Sequence, residues 1–359
     1  NTPCSFRGIK VPEIKLSASD QQSVKKGWQG LTKTPGFKDL RDDCLRIREE
    51  LQLCDWGYLL LAEKIASELY PASKDNQALA ACALLNLSGY DCRLASSKGN
   101  IYLMFNPSHE MPGTYLPIDG KRYYIRSRGD ELSSASSCIA DFHANPTPIR
   151  MLMERYPRLR HNPSTARRYR SSAVGASKGL DMADVNVVVN SSVQSFLDDY
   201  PLVSWNLYGL APVSEELQNT LFKVMKDEVA GLGEIEAVNK LLKFHYVGFN
   251  YSRDHEQFGR EKPFFFDENF YYPANDCEDR AILFARLVKD ILGLDVVYLK
   301  YPDHLAAGVC FSPGVNVTGP RVTVDGKTYV FCDPTNADKA GKCPVIYSTL
   351  RPDVYKIEL

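Results

Sequence analysis

The sequence has no long apolar run and no strong excess of charge of either sign. Its apolar pieces are short and broken by Asp, Asn or Gly, and none approaches the roughly 18 residues that a membrane-spanning helix needs. The 43 basic and 44 acidic side chains nearly cancel, which gives no reason to expect nucleic acid or an anionic membrane as a partner. A globular chain of 359 residues is long enough for two domains.

The cysteine pattern excludes the common structural metal sites. Ten cysteines are present, but none forms a CxxC pair or a Cys/His pair at zinc-finger spacing, so we expect no metal and no cofactor. Ten is more than a reduced cytosolic enzyme usually carries and fewer than a disulfide scaffold needs. The chain begins at Asn1 without a charged segment and apolar core typical of a leader, as in a mature or trimmed form. An extracytoplasmic location, periplasmic or secreted, is the expectation.

Composition and periodicity predict an α+β chain with four regions. Residues 1–20 read as an N-terminal arm, and 21–130 as an α+β domain. Residues 131–182 are rich in Ser, Arg and Gly and read as a linker, while 183–359 read as a second domain. Within the first domain the spacing predicts two or three helices over 17–70, a helix over 76–88, and strands over 90–95, 100–105 and 122–126.

Arginine is concentrated between Arg150 and Arg170. Seven arginines stand there against a single acid, Glu154. The cluster is either a docking surface for an anionic polymer or a carboxylate-bearing substrate, or a solvated linker whose arginines pair with acids elsewhere. We favour the solvated linker, because charge runs are commonly solvated faces.

Cys277 occupies a position that suits a nucleophile. The segment after it has helical apolar spacing and ends at Gly293, so Cys277 falls in the first turn of a buried helix. Unpaired N–H groups and the positive end of the helix dipole favour a thiolate there and can stabilise an oxyanion. Glu278 and Asp279 oppose this by like-charge repulsion, and Arg280 compensates in part.

Two further residues follow on predicted strands. His304 begins a strand 27 residues after Cys277, and Asp333 ends another strand 29 residues later, after a hairpin at Asp325-Gly326. A helix start and two neighbouring strands can bring a thiol, an imidazole and an orienting carboxylate to one point. We therefore predict a Cys277, His304 and Asp333 triad. Tyr272 and Gln257 are candidates for a second oxyanion donor or for lining the cleft.

Residues from about 235 to 350 resemble the transglutaminase-like superfamily of papain-fold thiol enzymes. The resemblance rests on "DCEDRA" opening a helix, "HLAAGV" opening a strand and "CDPT" closing one, and it covers about a third of the chain. It implies a helix that carries Cys277 as nucleophile, packed on an antiparallel sheet that carries His304 as base and Asp333 as the residue that holds the imidazole. The segment FDENFYYPANDCEDRA is also similar to secreted bacterial members, mostly of unassigned substrate.

The expected activity is acyl transfer through a thioester on Cys277. Hydrolysis of an amide in a peptide or protein, with a cell-wall peptide as one candidate, is the first expectation, and transfer to an amine is the second. The rival from another class is a non-catalytic module that keeps the fold and binds a peptide or glycan.

The spacing of similar short segments in the two halves of the chain also suggests a duplication of the fold. Gly89-Tyr90-Asp91 lies 204 residues before Gly293-Leu294-Asp295, and Asp119-Gly120-Lys121 lies 206 before Asp325-Gly326-Lys327. In such a duplication Cys277 corresponds to Ser73, His304 to Asn100 and Asp333 to Ser127, so the N-terminal copy would be a degenerate, inactive one. It would wall the substrate cleft or bind a second part of the substrate. The alternative is that two α+β domains share the pattern by chance.

Overall fold

Three helices form near the N-terminus, where the apolar spacing predicted two or three. They are α1 (Gln21–Lys33), α2 (Pro35–Glu50) and α3 (Asp55–Leu69). The Asp20 carboxylate accepts the N–H of Ser23 and so caps α1. Pro35 begins α2, where its fixed φ suits the first helical residue.

The structure is a computed structural model that describes residues 4–6, 13–14, 16, 18–126, 136–138, 146–160, 163–169 and 185–358. The chain divides into two compact units, 1–160 and 161–359. Each unit combines helices with an antiparallel sheet, so the protein is a mixed α and β chain. No helix among the described residues has both the length and the apolar character needed to cross a membrane.

The first sheet follows a helix rich in small apolar residues. Helix α4 (Lys74–Leu87) leads into five antiparallel strands that lie in the order β3-β4-β2-β1-β5. The predicted strands at 90–95, 100–105 and 122–126 correspond to three of them. The five strands are β1 (Cys92–Ser97), β2 (Asn100–Phe105), β3 (Tyr115–Ile118), β4 (Lys121–Ile125) and β5 (Ser136–Cys138).

Part of the predicted linker 131–182 belongs to the first unit. Strand β5 pairs with β1, and the described stretch 146–160 buries Ile149, Met151 and Met153. Arg150 forms an ion pair with Glu154, and Arg150 Nη1 lies 2.5 Å from Glu154 Oε1. The boundary between the units falls at 160/161, within the predicted linker.

Short elements precede the second sheet. Strands β6 and β7 form an antiparallel pair, and β8 and β9 a parallel one. In chain order the elements are β6 (Pro163–Tyr169), β7 (Val185–Asn190), α5 (Ser191–Asp198), α6 (Trp205–Leu210), α7 (Glu215–Leu217), a π-helical turn (Gln218–Phe222), α8 (Lys223–Val229), α9 (Glu234–Gly248), β8 (Asn250–Tyr251), α10 (Asp254–Phe258), a 3-10 helix (Phe266–Phe270) and β9 (Ala274–Asn275).

The second sheet has the predicted helix, the predicted strand at His304 and the predicted hairpin, whereas its last strand in the chain was not predicted. Helix α11 (Cys277–Leu287) continues through a π-helical turn (Val288–Leu292) and ends at Gly293, whose φ of 70° is the left-handed cap. The strands lie in the order β12-β13-β11-β10-β14. They are β10 (Asp295–Tyr301), β11 (His304–Cys310), β12 (Arg321–Val324), β13 (Lys327–Cys332) and β14 (Asp353–Lys356), with α12 (Val345–Ser348) before the last.

The two sheets repeat one topology. In each, a helix is followed by two antiparallel strands, then a hairpin, and the first strand takes an edge partner from later in the chain. Both hairpins turn through Asp-Gly with positive φ at both residues, at Asp119-Gly120 and at Asp325-Gly326. A duplication would give this shared strand order, and the duplication itself stays a prediction. We use the word copy for each sheet together with the helix before it.

Candidate active site

Cys277 begins α11, as the sequence predicted, and a capping box holds the turn before it. The Asp276 N–H donates to Asp279 Oδ2 at 3.1 Å, and the Phe264 N–H donates to Asp279 Oδ1 at 2.7 Å. Asp279 thereby fixes both the entry into the helix and a distant loop. Asp279 stands three residues after the cap residue, Asp276, and this capping role explains why an acid lies in the same helical turn as Cys277.

His304 and Asp333 are brought together. His304 Nε2 lies 3.0 Å from Asp333 Oδ2, and both side chains are buried. The Asp333 carboxylate also accepts the Thr335 N–H at 2.9 Å and the Asn336 side-chain amide at 2.7 Å. With Nε2 facing the carboxylate, Nδ1 is the nitrogen left to serve as base.

The Cys277 thiol lies beside the start of β11 but is directed to an acid. Its sulfur donates to Glu278 Oε2 at 2.9 Å. It also accepts a hydrogen bond from the backbone N–H of Leu305, the residue after His304. Among the described hydrogen bonds none joins Cys277 to His304. The start of α11 and the start of β11 are therefore in contact, while the thiol proton is hydrogen-bonded to the Glu278 carboxylate.

Burial and acidic neighbours raise the pKa of Cys277. Burial contributes most, the charge of Glu278 and its hydrogen bond come next, and the Leu305 N–H opposes them. The like-charge effect that the sequence indicated for Glu278 is therefore present. In this arrangement Cys277 is a neutral thiol, and ionisation requires the Glu278 charge to be offset.

Acidic side chains crowd the same corner. Burial, followed by neighbouring acids, raises the pKa of Asp276 to about 9 and that of Asp279 well above its ordinary value, and burial raises that of Asp254 to about 6. Asp276 Oδ1 is buried and accepts no hydrogen bond. So many buried carboxylates cannot all be charged, so protons or a cation must share them.

Among the described residues, three overlapping groups of side chains could hold a metal ion. Within each group the ligand atoms lie within 4.8 Å of one another. Carboxylate oxygens suit a hard cation such as Ca²⁺. The expectation of no metal, made from the cysteine pattern, stays a prediction. The groups are Asp276 with Cys277 and Glu278, Asp254 with Asp276 and Asp279, and Asp254 with Glu261 and Glu278.

Arg280 ties the nucleophile helix to the loop that follows Asp333. Its buried guanidinium donates to Asn275 Oδ1 at 2.9 Å, to the Phe249 carbonyl at 3.0 Å and to the Thr335 carbonyl at 3.4 Å. The sequence suggested Arg280 only as a compensating charge. In the structure it also links three segments that position the site.

The two oxyanion candidates have different surroundings. Gln257 donates to the carbonyl of Ala274 at 3.3 Å, three residues before Cys277. The Tyr272 ring stacks on Phe264 with centroids 4.9 Å apart, and its pKa is raised chiefly by burial. The structure therefore gives Gln257 a contact in the loop before the nucleophile and places Tyr272 in an aromatic cluster. Their role as donors stays a prediction.

Two residues of the site were missed from sequence. Asn336 donates to Asp333 from three residues away, and its place in the turn after "CDPT" could have suggested it. The Tyr347 ring stacks on His304, with centroids 5.0 Å apart and planes 16° from parallel. Tyr347 stands 43 residues after His304, in a segment with no motif, so no local signal indicated it.

Comparisons with known proteins give no assignment. No protein-family model matches the chain, and no curated protein or solved structure matches it either.

Proposed function

We propose that this chain is a thiol-dependent enzyme of the transglutaminase-like kind, which cleaves or transfers an amide acyl group through Cys277. The observation that carries the proposal is the buried His304–Asp333 hydrogen bond of 3.0 Å, beside a helix that begins at Cys277. An imidazole held by a carboxylate next to a helix-terminal thiol is the arrangement that acyl transfer requires. The Leu305 N–H, which donates to the Cys277 sulfur, links the strand that carries His304 to the helix that carries Cys277.

The chemistry follows from the roles of the three groups. When the amide enters, the Cys277 thiol turns from Glu278 to His304 and transfers its proton to Nδ1 as its sulfur attacks the amide carbonyl carbon. First-turn N–H groups of α11 stabilise the oxyanion. The C–N bond then breaks, the amine leaves with the proton from His304, and a thioester remains. Water attacks the thioester with His304 as base and releases the acid, whereas an amine in its place gives transamidation.

Hydrolysis of a peptide or protein substrate is our first choice. A papain-like arrangement, with α11 packed on the sheet that carries His304, accords with the helix and strand order of the second unit. A cell-wall peptide and an extracytoplasmic location belong to the same proposal.

A binding module that keeps the fold is the second candidate. One observation favours it: the Cys277 thiol donates to Glu278 rather than to His304. A thiol that stays neutral is a weak nucleophile. In this reading the cleft recognises a peptide or glycan without chemistry.

Thiol labelling separates the two candidates. The full chain is treated with a peptidyl chloromethyl ketone, and the labelling rate of each cysteine is followed by mass spectrometry. Cys343, which is also half-buried and unbridged, serves as the internal reference. We expect Cys277 to be labelled about 100-fold faster than Cys343, and His304→Ala to remove that advantage, because general base catalysis contributes about 10²-fold or more.

Asn100→Ala, at the corresponding position of the first sheet, is the matched control and should leave the rate unchanged. Equal rates for Cys277 and Cys343, or a Cys277 rate that does not depend on His304, would reject the enzyme and favour the binding module.

A further inference from the structure

The sheet face that carries His304 and Asp333 is largely apolar. Alternation along β11 puts His304 on the same face as Ala306, and the residues around the end of β13 put Asp333 on the same face as Phe331. Ala306 and Phe331 belong to one apolar cluster together with Tyr301. The imidazole and its carboxylate therefore lie at one end of an apolar face.

A groove with a volume of about 920 Å³ opens on this face. Its floor is formed by strand side chains and its wall by the segment 347–353. The apolar floor residues are Leu299, Tyr301, Val322, Val324, Phe331 and Val354. A groove of this size can take several side chains of an extended peptide.

Tyr347 joins the groove to the site. Its side chain lines the groove, and its ring stacks on the His304 imidazole. The groove therefore ends at Tyr347, whose ring lies against the imidazole of the proposed base, and a chain lying in the groove would lead toward the candidate site.

The segment around Tyr347 is unusually apolar at its surface. Val345 is 85% exposed, Ile346 63% and Leu350 43%. Exposed apolar side chains that stand singly are ordinary, but three within six residues at the edge of a groove mark a contact surface. We name Val345, Ile346 and Leu350 the apolar lip.

The groove also carries two arginines without an acidic partner. Arg321 donates to the carbonyls of Gly319 and Val317. Among the described residues no ion pair includes Arg321 or Arg351, and Asp353 is the single acid that lines the groove. The two arginines thus outnumber the one acid of the groove, and they can pair with a carboxylate of a bound molecule.

We propose that this groove and the apolar lip bind an extended, apolar polypeptide segment that carries an acidic residue, and that this segment is the part of the substrate next to the amide presented to Cys277. The inference rests on the proposed function and names its substrate class. Apolar side chains contact the floor and lip, and the acidic side chain pairs with Arg321 or Arg351.

The test uses the full chain with Cys277→Ala, which binds without turnover. Fluorescein-labelled peptides Glu-Val-Leu-Gln-Leu-Val-Glu, its Lys-for-Glu analogue and its Ser-for-Val/Leu analogue are titrated by fluorescence anisotropy. We expect the acidic apolar peptide to bind about tenfold or more tighter than either analogue, since a charge-assisted pair and buried apolar side chains each contribute that much.

Charge reversal tests the arginines. Arg321→Glu with Arg351→Glu should reverse the preference, so that the Lys peptide binds tighter than the Glu peptide. Lys226→Glu, an exposed charge on α8, is the matched control and should change neither affinity.

Truncation of the lip tests the apolar contact. Val345→Ser with Ile346→Ser should weaken binding of both apolar peptides about tenfold. Leu232→Ser is the matched control, because Leu232 is also an exposed apolar side chain, at 40%, outside the groove. It should leave binding unchanged.

The outcomes separate this inference from the proposed function. Equal affinities for the three peptides, or lip and charge variants that behave as their controls, overturn the groove even if Cys277 labelling depends on His304. Selective binding by the groove without that labelling upholds the groove as a recognition site and rejects the catalysis.

Discussion

The two sheets share a topology but differ at the point where the helix meets the second strand. In the second sheet the Cys277 thiol accepts the backbone N–H of Leu305. In the first sheet the N–H of Ile101, 204 residues earlier, donates instead to the Asp75 carboxylate at 2.9 Å. The corresponding backbone donor is thus bound by the thiol of the candidate nucleophile in one copy and by a carboxylate in the other.

The first sheet has other residues at the positions that correspond to the proposed triad. Asn100 begins β2 where His304 begins β11, and it is exposed rather than buried. Ser73, which corresponds to Cys277, caps α4 through its side-chain oxygen. Ser127, which corresponds to Asp333, lies outside the described residues. Ser73 and Asn100 stand where Cys277 and His304 stand in the second sheet, so the shared strand order does not require a thiol or an imidazole at these positions.

A structural ion pair is kept in both copies. Lys121 and Asp91 lie 2.8 Å apart in the first sheet, and Lys327 and Asp295 lie 2.6 Å apart in the second. Each joins the hairpin to the start of the first strand of its sheet. The Asp91 side chain is 3% exposed and the Asp295 side chain 53%, so the same pair is embedded in one copy and solvated in the other.

The largest difference between the copies should appear in their response to pH. Burial raises the pKa of Asp276 to about 9 and that of Asp254 to about 6, from ordinary values near 4. The folded second unit therefore binds these protons more tightly than the unfolded chain does. This contribution to stability is complete below about pH 4 and is lost as the pH rises toward about 9.

Buried cysteines report each copy separately. Cys332 is buried in the second sheet and Cys92 in the first. In pulsed alkylation across a urea series at pH 5, 7 and 9, the midpoint for Cys332 should fall with rising pH, and Asp276→Asn should flatten that fall. The described part of the first copy has no counterpart of this acidic group. A Cys332 midpoint that rises from pH 5 to pH 9 contradicts the prediction.

Glu278→Gln should increase the thiol reactivity of Cys277, which has no counterpart thiol in the first copy. It removes the charge and the acceptor that keep the Cys277 proton. We expect the pKa of Cys277 to fall and its iodoacetamide rate at pH 7 to rise about tenfold or more. Glu261→Gln, at an exposed acid of the same cluster, is the control. If both variants alkylate at the wild-type rate, Glu278 does not restrain the thiol.

The smallest effect concerns the shared ion pair. Lys121→Ala should destabilise the first copy by about 2 kcal/mol, because Asp91 then loses a charged partner while it stays buried. Lys327→Ala should cost the second copy about 0.5 kcal/mol or less, since that pair is exposed. The urea midpoints of Cys92 and Cys332 measure the two costs. Equal costs would mean that burial does not distinguish the pairs.

Much of the second sheet could be predicted from local sequence. Apolar spacing and Gly293 gave the helix, and the Asp325-Gly326 turn gave the hairpin, because both signals act between neighbouring residues. Strands β3 and β5 of the first sheet were not predicted. Strand β3 is four residues long and contains Pro117, and β5 is three residues long, so neither gives a strong strand signal.

Within the candidate site, the sequence placed His304 beside Asp333, because strand order follows from the hairpin and alternation sets the face. It did not predict that Arg280 would reach the Thr335 carbonyl or that Tyr347 would stack on His304. Those contacts join segments 43 or more residues apart, and no local pattern records such a distance.

The sequence by itself determined the mixed α and β character, the repeated Asp-Gly hairpins and the placement of Cys277, His304 and Asp333 on a helix start and two strands. Local backbone preferences and apolar period are enough for these. Only the tertiary structure decided that the Cys277 proton goes to Glu278, that five acids share one corner and that an apolar groove ends at Tyr347, which stacks on His304. Hydrogen bonding, desolvation and groove shape depend on which distant segments are packed together, and packing is a property of the whole fold.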